Sequence, residues 1–204
     1  MTITNGYCTL SEFKQWLTAA GQTISADVGD DSVIESIIEA SSRFIDGECA
    51  RHFYKSSADE TRYYTATEST YVRPDDLVSV TTLYTDDGSR EYADTWTTDD
   101  FDLWPYNAAA DGRPYVQIVT APYSNYWFYP GVAKGVKITG IFGWPSVPEP
   151  IREACILITL STYKRRFGEN LSSVSTVTGG GVVITPQDVP AGAWAKINPY
   201  RRRL

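Results

Sequence analysis

His52 is the only histidine in the 204 residues, so a Ser-His-Asp or Cys-His system would have to be built on it. It stands in Arg51-His52-Phe53-Tyr54, just past the end of a predicted helix, where packing or capping comes before catalysis. No serine lies in a G-x-S-x-G setting, so no strained nucleophile elbow is signalled. Carboxylates cluster at Asp99, Asp100 and Asp102 around Phe101, and at Asp86-Asp87 before Gly88. Paired carboxylates can do acid–base work or hold a hard cation. The spacing of a calcium loop, with acids at alternate positions, a following glycine and a distal glutamate, is missing here. Asp-Asp-Gly between β-like runs is first of all a turn, because both residue types tolerate the backbone angles a turn needs. Gly179, Gly180 and Gly181 are followed by Val-Val-Ile instead of Lys-Ser/Thr, which makes a poor phosphate cradle. Cys8, Cys49 and Cys155 have neither zinc spacing nor the look of a disulfide framework, and suit a reducing compartment. The residues therefore point to no enzyme, no cofactor and no metal.

Charge is distributed unevenly. Residues 1–150 hold 10 Lys/Arg against 22 Asp/Glu, and residues 151–204 hold 8 against 3. Such a dipolar chain can attract its own copies or an oppositely charged partner. Arg201, Arg202 and Arg203, with Lys164, Arg165 and Arg166, offer contacts to phosphates, but the acidic body argues against DNA binding as the main role. Docking of the basic end into an acidic protein groove fits better. The 14 tyrosines and 6 tryptophans add the amphipathic rings that both cores and interfaces favour. Neither a secretory leader nor an apolar run of membrane-spanning length is apparent, so no membrane role is expected.

Three helices must position whatever works here. Thr9 and Glu12 have capping-box spacing, and Leu10, Phe13, Trp16, Leu17 and Ala20 then form one apolar stripe ending at Gly21. A second helix starts near Asp30, Asp31 and Ser32. Its stripe is Ile34, Ile37, Ile38, Ser41, Phe44 and Ile45, with Glu35, Glu39, Arg43 and Asp46 pointing elsewhere. The third follows Pro148-Glu149-Pro150 and covers residues 151–167. It is apolar on nearly every side, so neighbouring copies are expected to shield Ile151, Cys155, Ile156, Leu157, Ile158, Leu160 and Tyr163. Gly168 ends it after the basic run Lys164-Arg165-Arg166. Residues 60–145 read as β-structure, with strands at 62–65, 78–84, 115–120 and 136–142 and turns at Asp87-Gly88, Asp111-Gly112 and Pro130-Gly131.

The order of these segments resembles the head-tail connector (adaptor, head-completion) proteins of tailed phages. The carriers at the start are Thr9-Leu10-Ser11-Glu12, the helix opening at Asp30-Asp31, and the Arg51-His52-Phe53 corner. A more specific match is Gly143-Trp144-Pro145, Val147-Pro148 and Ile151-Arg152-Glu153-Ala154 leading into a long helix that reaches Tyr163 and a basic cluster. The closing Asn198-Pro199-Tyr200-Arg201 completes it. The resemblance covers about half the chain, with the middle β segment matching loosely.

The resemblance implies a structural virion protein at the portal vertex, or neck, assembled in the host cytoplasm. It would form a dodecameric ring under the portal protein and extend the DNA channel, through which DNA slides without sequence-specific binding. It would also present a docking surface to the next tail-completion protein. Pro199, Tyr200, Arg201, Arg202 and Arg203 become portal-docking candidates, since bidentate arginine suits a partner's carboxylates. Two alternatives remain: an adaptor that docks tail fibres at the same vertex, and a DNA-binding protein using the basic C-terminus.

The fold class expected is α+β: a small helical bundle of three main helices plus a short C-terminal helix, with an antiparallel β-rich insertion between the second and third. Residues 1–59 and 146–168 would build the bundle around the insertion at 60–145. A flexible Gly-rich loop or arm at 169–190 would lead to a C-terminal helix and docking tail at 191–204.

Overall fold

The computed structural model describes residues 3–19, 28–167, 175–178, 181–184 and 189–202. They form two compact units, one from residues 1–50 with 147–204 and one from residues 51–146. The architecture is α+β, with an antiparallel β insertion between the second and third helices.

The helical unit contains α1 (Leu10–Ala19), α2 (Val28–Cys49), α3 (Glu149–Phe167) and α4 (Ala191–Ile197), followed by a 3-10 turn at Asn198–Tyr200. The start of α1 is the predicted capping box. The Glu12 amide donates to the Thr9 hydroxyl at 3.1 Å, and the Thr9 amide and hydroxyl donate back to the Glu12 carboxylate at 2.7 and 2.9 Å. These bonds satisfy donors that a helix start would otherwise leave open. The stripe of α2 is buried at Ile34, Ile37, Ile38, Ser41 and Ile45, as periodicity predicts.

Asp46 departs from the prediction. It is buried instead of facing away, accepting a hydrogen bond from the Tyr7 hydroxyl and pairing with Arg43 Nε at 2.9 Å. A buried carboxylate stands only where donors replace its water, and the segment before α1 brings one of them.

The seam between α2 and α3 is lined by hydroxyls and thiols. Ser42 Oγ donates to the Ile38 carbonyl at 2.8 Å and accepts from the Tyr7 amide at 3.0 Å, while Thr159 Oγ1 donates to Ser41 at 3.2 Å. Cys155 lies 3.4 Å from Ser42 Oγ and 3.7 Å from Cys8 Sγ. All three cysteines are free thiols, and the neighbouring sulfur together with burial pushes the Cys8 thiol well up. Side chains this small let the two helix backbones approach closely while every buried hydroxyl keeps a partner.

The β unit holds a four-stranded and a three-stranded antiparallel sheet. The first has the order β1 (Glu60–Tyr64), β7 (Val136–Phe142), β3 (Leu77–Thr85), β4 (Asp94–Trp96). The second runs β2 (Tyr71–Val72), β6 (Gln117–Thr120), β5 (Phe101–Trp104). Alternate residues of β7 are buried, the period-2 signature of a sheet with one face inward. Residues from both sheets meet in one core that includes Val72, Leu77, Leu83, Trp96, Ile118, Phe128, Ile138 and Phe142. Four strands agree with the sequence reading within two residues; β2, β4 and β5, of two to four residues, were not predicted.

Within 169–190, read as a loop or arm, β8 (Ser175–Thr178) pairs antiparallel with β9 (Gly181–Ile184). The predicted stops at Gly21 and Gly168 lie outside the described residues. Among those described, no helix is long and apolar enough to cross a membrane.

Candidate assembly surfaces

The residues with chemical potential turn out to organise the backbone. Asp86 is buried at the end of β3, where its carboxylate accepts the amides of Gly88, Arg90 and Tyr92 at 3.0, 3.0 and 3.3 Å and the Ser89 hydroxyl at 3.0 Å. Burial pushes its pKa up, but the Arg90 and Tyr92 amides, the Ser89 hydroxyl and the Gly88 amide outweigh it and hold the carboxyl below the usual range. The predicted Asp-Asp-Gly turn is therefore present, wound around its first acid. Asp100 accepts from the Thr97 hydroxyl and amide at 2.6 and 2.8 Å and from Ser124 at 3.1 Å, which lowers its pKa. Among the described residues no group of three or more His, Cys, Asp or Glu side chains could hold a metal ion. His52 is exposed, with its ring 5.2 Å from that of Tyr54.

Two motifs that carried the family resemblance converge inside the β unit. Arg51 and Phe53 meet Trp144, with the Phe53 ring 5.3 Å away and the Arg51 guanidinium 5.9 Å from the indole centre. Asp76, almost wholly buried, accepts the Trp144 indole N–H at 2.9 Å and lies 3.6 Å from Arg51 Nε. Gly143 has φ +107°, and a Cβ there would overlap the carbonyl oxygen of Tyr54. The Gly-Trp pair and the Arg-x-Phe corner thus form one packed knot, and glycine is the residue that lets the chain just past β7 touch the backbone of that corner.

The interface candidates on α3 separate by burial. Ile151, Cys155, Ile156 and Ile158 are interior, because α1, α2 and α4 of the same chain pack around the helix. Three neighbouring helices supply this cover within the chain, which the sequence alone could not show. Leu157, Leu160 and Tyr163 are half-buried. Leu157 lies against Gly192 of α4, and the Tyr163 ring meets Phe13 edge-on at 5.9 Å.

Of the portal-docking candidates, Pro199 and Arg201 are exposed and Tyr200 and Arg202 half-buried; Arg203 lies outside the described residues. Arg201 pairs with Glu48 at 2.5 Å and sits 5.3 Å from the Trp194 ring centre. The Arg202 amide donates to the Cys49 carbonyl at 2.9 Å, capping the end of α2.

Sequence reasoning missed a surface on the four-stranded sheet. Cross-strand register sets Tyr63, Lys137 and Tyr84 in one row facing away from the core. Lys137 Nζ lies 5.3 Å from the Tyr84 ring centre and 5.6 Å from that of Tyr92, and Lys134 Nζ lies 5.9 Å from that of Tyr63. Alternation of Thr61 with Tyr63 and of Lys137 with Thr139 was the available signal, but the row exists only once three distant strands are in register.

No family model matches the sequence, and no curated protein matches it either. Solved structures do. A chain from the virion of the native gene transfer agent particle is 18% identical, with a TM-score of 0.58 and coverage of 100% of this chain and 95% of that one. A chain from the neck of the empty particle, computed with C6 symmetry, is 17% identical with a TM-score of 0.55 over 100% and 95%. One from the neck of the native particle, computed with C12 symmetry, is 18% identical with a TM-score of 0.52 over 100% and 94%. The helical bundle with its β insertion is thus a fold found in the necks of gene transfer agent particles, consistent with the head-tail connector resemblance of the sequence motifs.

Proposed function

We propose that this chain is a structural virion protein of the neck, a head-to-tail connector subunit. Twelve copies form a ring under the portal, extend the DNA channel and give the tail its docking surface. The observation that carries this reading is a likeness of fold running the whole length of the chain and nearly the whole length of chains from particle necks. The half-buried Leu157, Leu160 and Tyr163 are what α3 offers to a neighbouring copy in such a ring. The exposed Pro199 and Arg201, with Tyr200, Arg202 and Arg203, form the segment that reaches the portal. In this reading Arg201 exchanges Glu48 for a portal carboxylate, a substitution of like for like.

The test is to mix the chain with the portal protein of its own particle and weigh the product by native mass spectrometry. A portal carrying twelve copies is the expected species; a chain that stays free under all assembly conditions overturns the reading. Arg201→Ala is expected to weaken portal binding while costing the free chain only about 0.5 kcal/mol, since its ion pair is solvent-exposed. Particles lacking the chain are expected to fill with DNA and leak it; particles that lack only their fibres would favour fibre docking instead.

A further inference from the structure

We propose that the outer face of the four-stranded sheet is a copy-to-copy contact surface, which takes the free carboxylates of a second copy of this chain. The inference rests on the ring reading above and adds a contact that lies outside α3.

Lys134 and Lys137 are held over tyrosine rings, with no carboxylate in ion-pair reach among the described residues. Tyr92 fixes the arrangement by donating its hydroxyl to the Lys134 carbonyl at 2.9 Å. This is unexpected in a unit where Asp and Glu outnumber Lys and Arg by 13 to 8 across residues 51–146. Ammonium groups already restrained over aromatic faces lose little freedom on meeting an anion, which favours binding.

The same chain carries the complement. Glu68, Asp99 and Asp102 are exposed and likewise have no partner among the described residues. Backbone pairing gathers their segments at one end of the three-stranded sheet. There Phe101 pairs with Thr120, the Thr120 amide donates to the Thr70 carbonyl at 2.9 Å, and the Ala121 amide donates to the Asp100 carbonyl at 2.9 Å. Tyr123 and Trp127, 97% and 55% exposed, flank these acids in the following loop. Exposed aromatics beside unpaired carboxylates on one patch, and tyrosines beside unpaired lysines on another, are the composition of two surfaces that fit each other. A single-stranded nucleic acid would also suit lysine and tyrosine, but two cations on an acid-rich unit release too few counterions to bind it well.

Sedimentation equilibrium of the full chain tests the contact. Lys134→Glu with Lys137→Glu, and separately Asp99→Lys with Asp102→Lys, are each expected to weaken self-association about tenfold or more, and all four changes in one chain to restore it. Lys134→Gln with Lys137→Gln is the milder variant should a reversal disturb folding, which circular dichroism reports. Single-face variants that associate as tightly as the wild type overturn the contact and leave the ring reading standing. A four-change chain that stays weak also overturns it, as does a wild-type chain that is monomeric at millimolar concentration. In that last case the ring reading is decided by the portal experiment. Oligonucleotide binding that the Lys→Glu changes abolish, with self-association unaltered, would reassign the face to a polyanion.

Discussion

The helical unit and the β unit differ in how many of their large aromatic side chains they leave exposed. In the helical unit, the apolar run of α3 is turned inside: the helix buries Ile151, Ala154, Cys155, Ile156 and Ile158 against its own neighbours. In the β unit, Tyr63 and Trp104 on strands and Tyr106, Tyr123 and Trp127 in the connecting loops stay substantially exposed, while Asp76 and Asp86 are buried as scaffolding. A greasy run therefore marks a place the fold needs covered, and the surface open to partners is where rings and charges stand together on strands and loops.

The sharpest test of that contrast lies in the β unit's knot. Gly143→Ala puts a Cβ onto the Tyr54 carbonyl at a φ of +107°, where the neighbour is backbone and cannot swing away. The expected loss is about 3 kcal/mol or more in urea denaturation, or failure to fold. A loss below about 1 kcal/mol would mean that the end of β7 and the Tyr54 backbone can separate without harm, and that the knot is not what holds the unit.

A paired substitution on α3 probes the other side of the comparison. Ile151→Ala empties a fully buried site and is expected to cost about 3 kcal/mol. Leu160→Ala removes a half-buried side chain and is expected to cost about 1 kcal/mol, with its larger effect on association of copies. Equal stability losses would show that α3 is covered alike on both faces, leaving no part of it for a neighbour.

How much of this was legible depended on how local the cause was. The Thr9–Glu12 box and the Ile34–Ile45 stripe could be read because their partners lie within a few residues, and the seven-residue β7 because its alternation is long. Asp46 was misplaced because its donor, Tyr7, is 39 positions away. How much of α3 its own chain covers was not legible, because α4 is only seven residues long and its packing cannot be seen in its composition. The Tyr63–Lys137–Tyr84 row was invisible because each member sits on a different strand. The basic run that includes Arg201 was legible, but not the ion pair of Arg201 with Glu48.

The smallest expected effect concerns pH, and it lies in the turns of the β unit. Asp86 and Asp100 both have folded pKa values below their ordinary value, so each contributes stability that is complete above the unfolded value of about 3.9. That contribution drains away as pH falls from there through the lower folded values. Asp86→Asn keeps the shape of the side chain but not its charge, and only one of its two oxygens remains to accept the turn's four donors. The variant is expected to be less stable than the wild type at pH 6 and to differ from it less at pH 3, because below about 3.9 the unfolded wild-type chain takes up a proton that the folded carboxylate resists, which draws down part of the advantage. Urea midpoints at the two pH values measure this, and hydrogen exchange locates it: the amides of Gly88, Arg90 and Tyr92 are expected to lose protection first in both proteins. A gap between variant and wild type that is just as wide at pH 3 would mean that the acid's charge has no part in holding the turn, and that its geometry alone does.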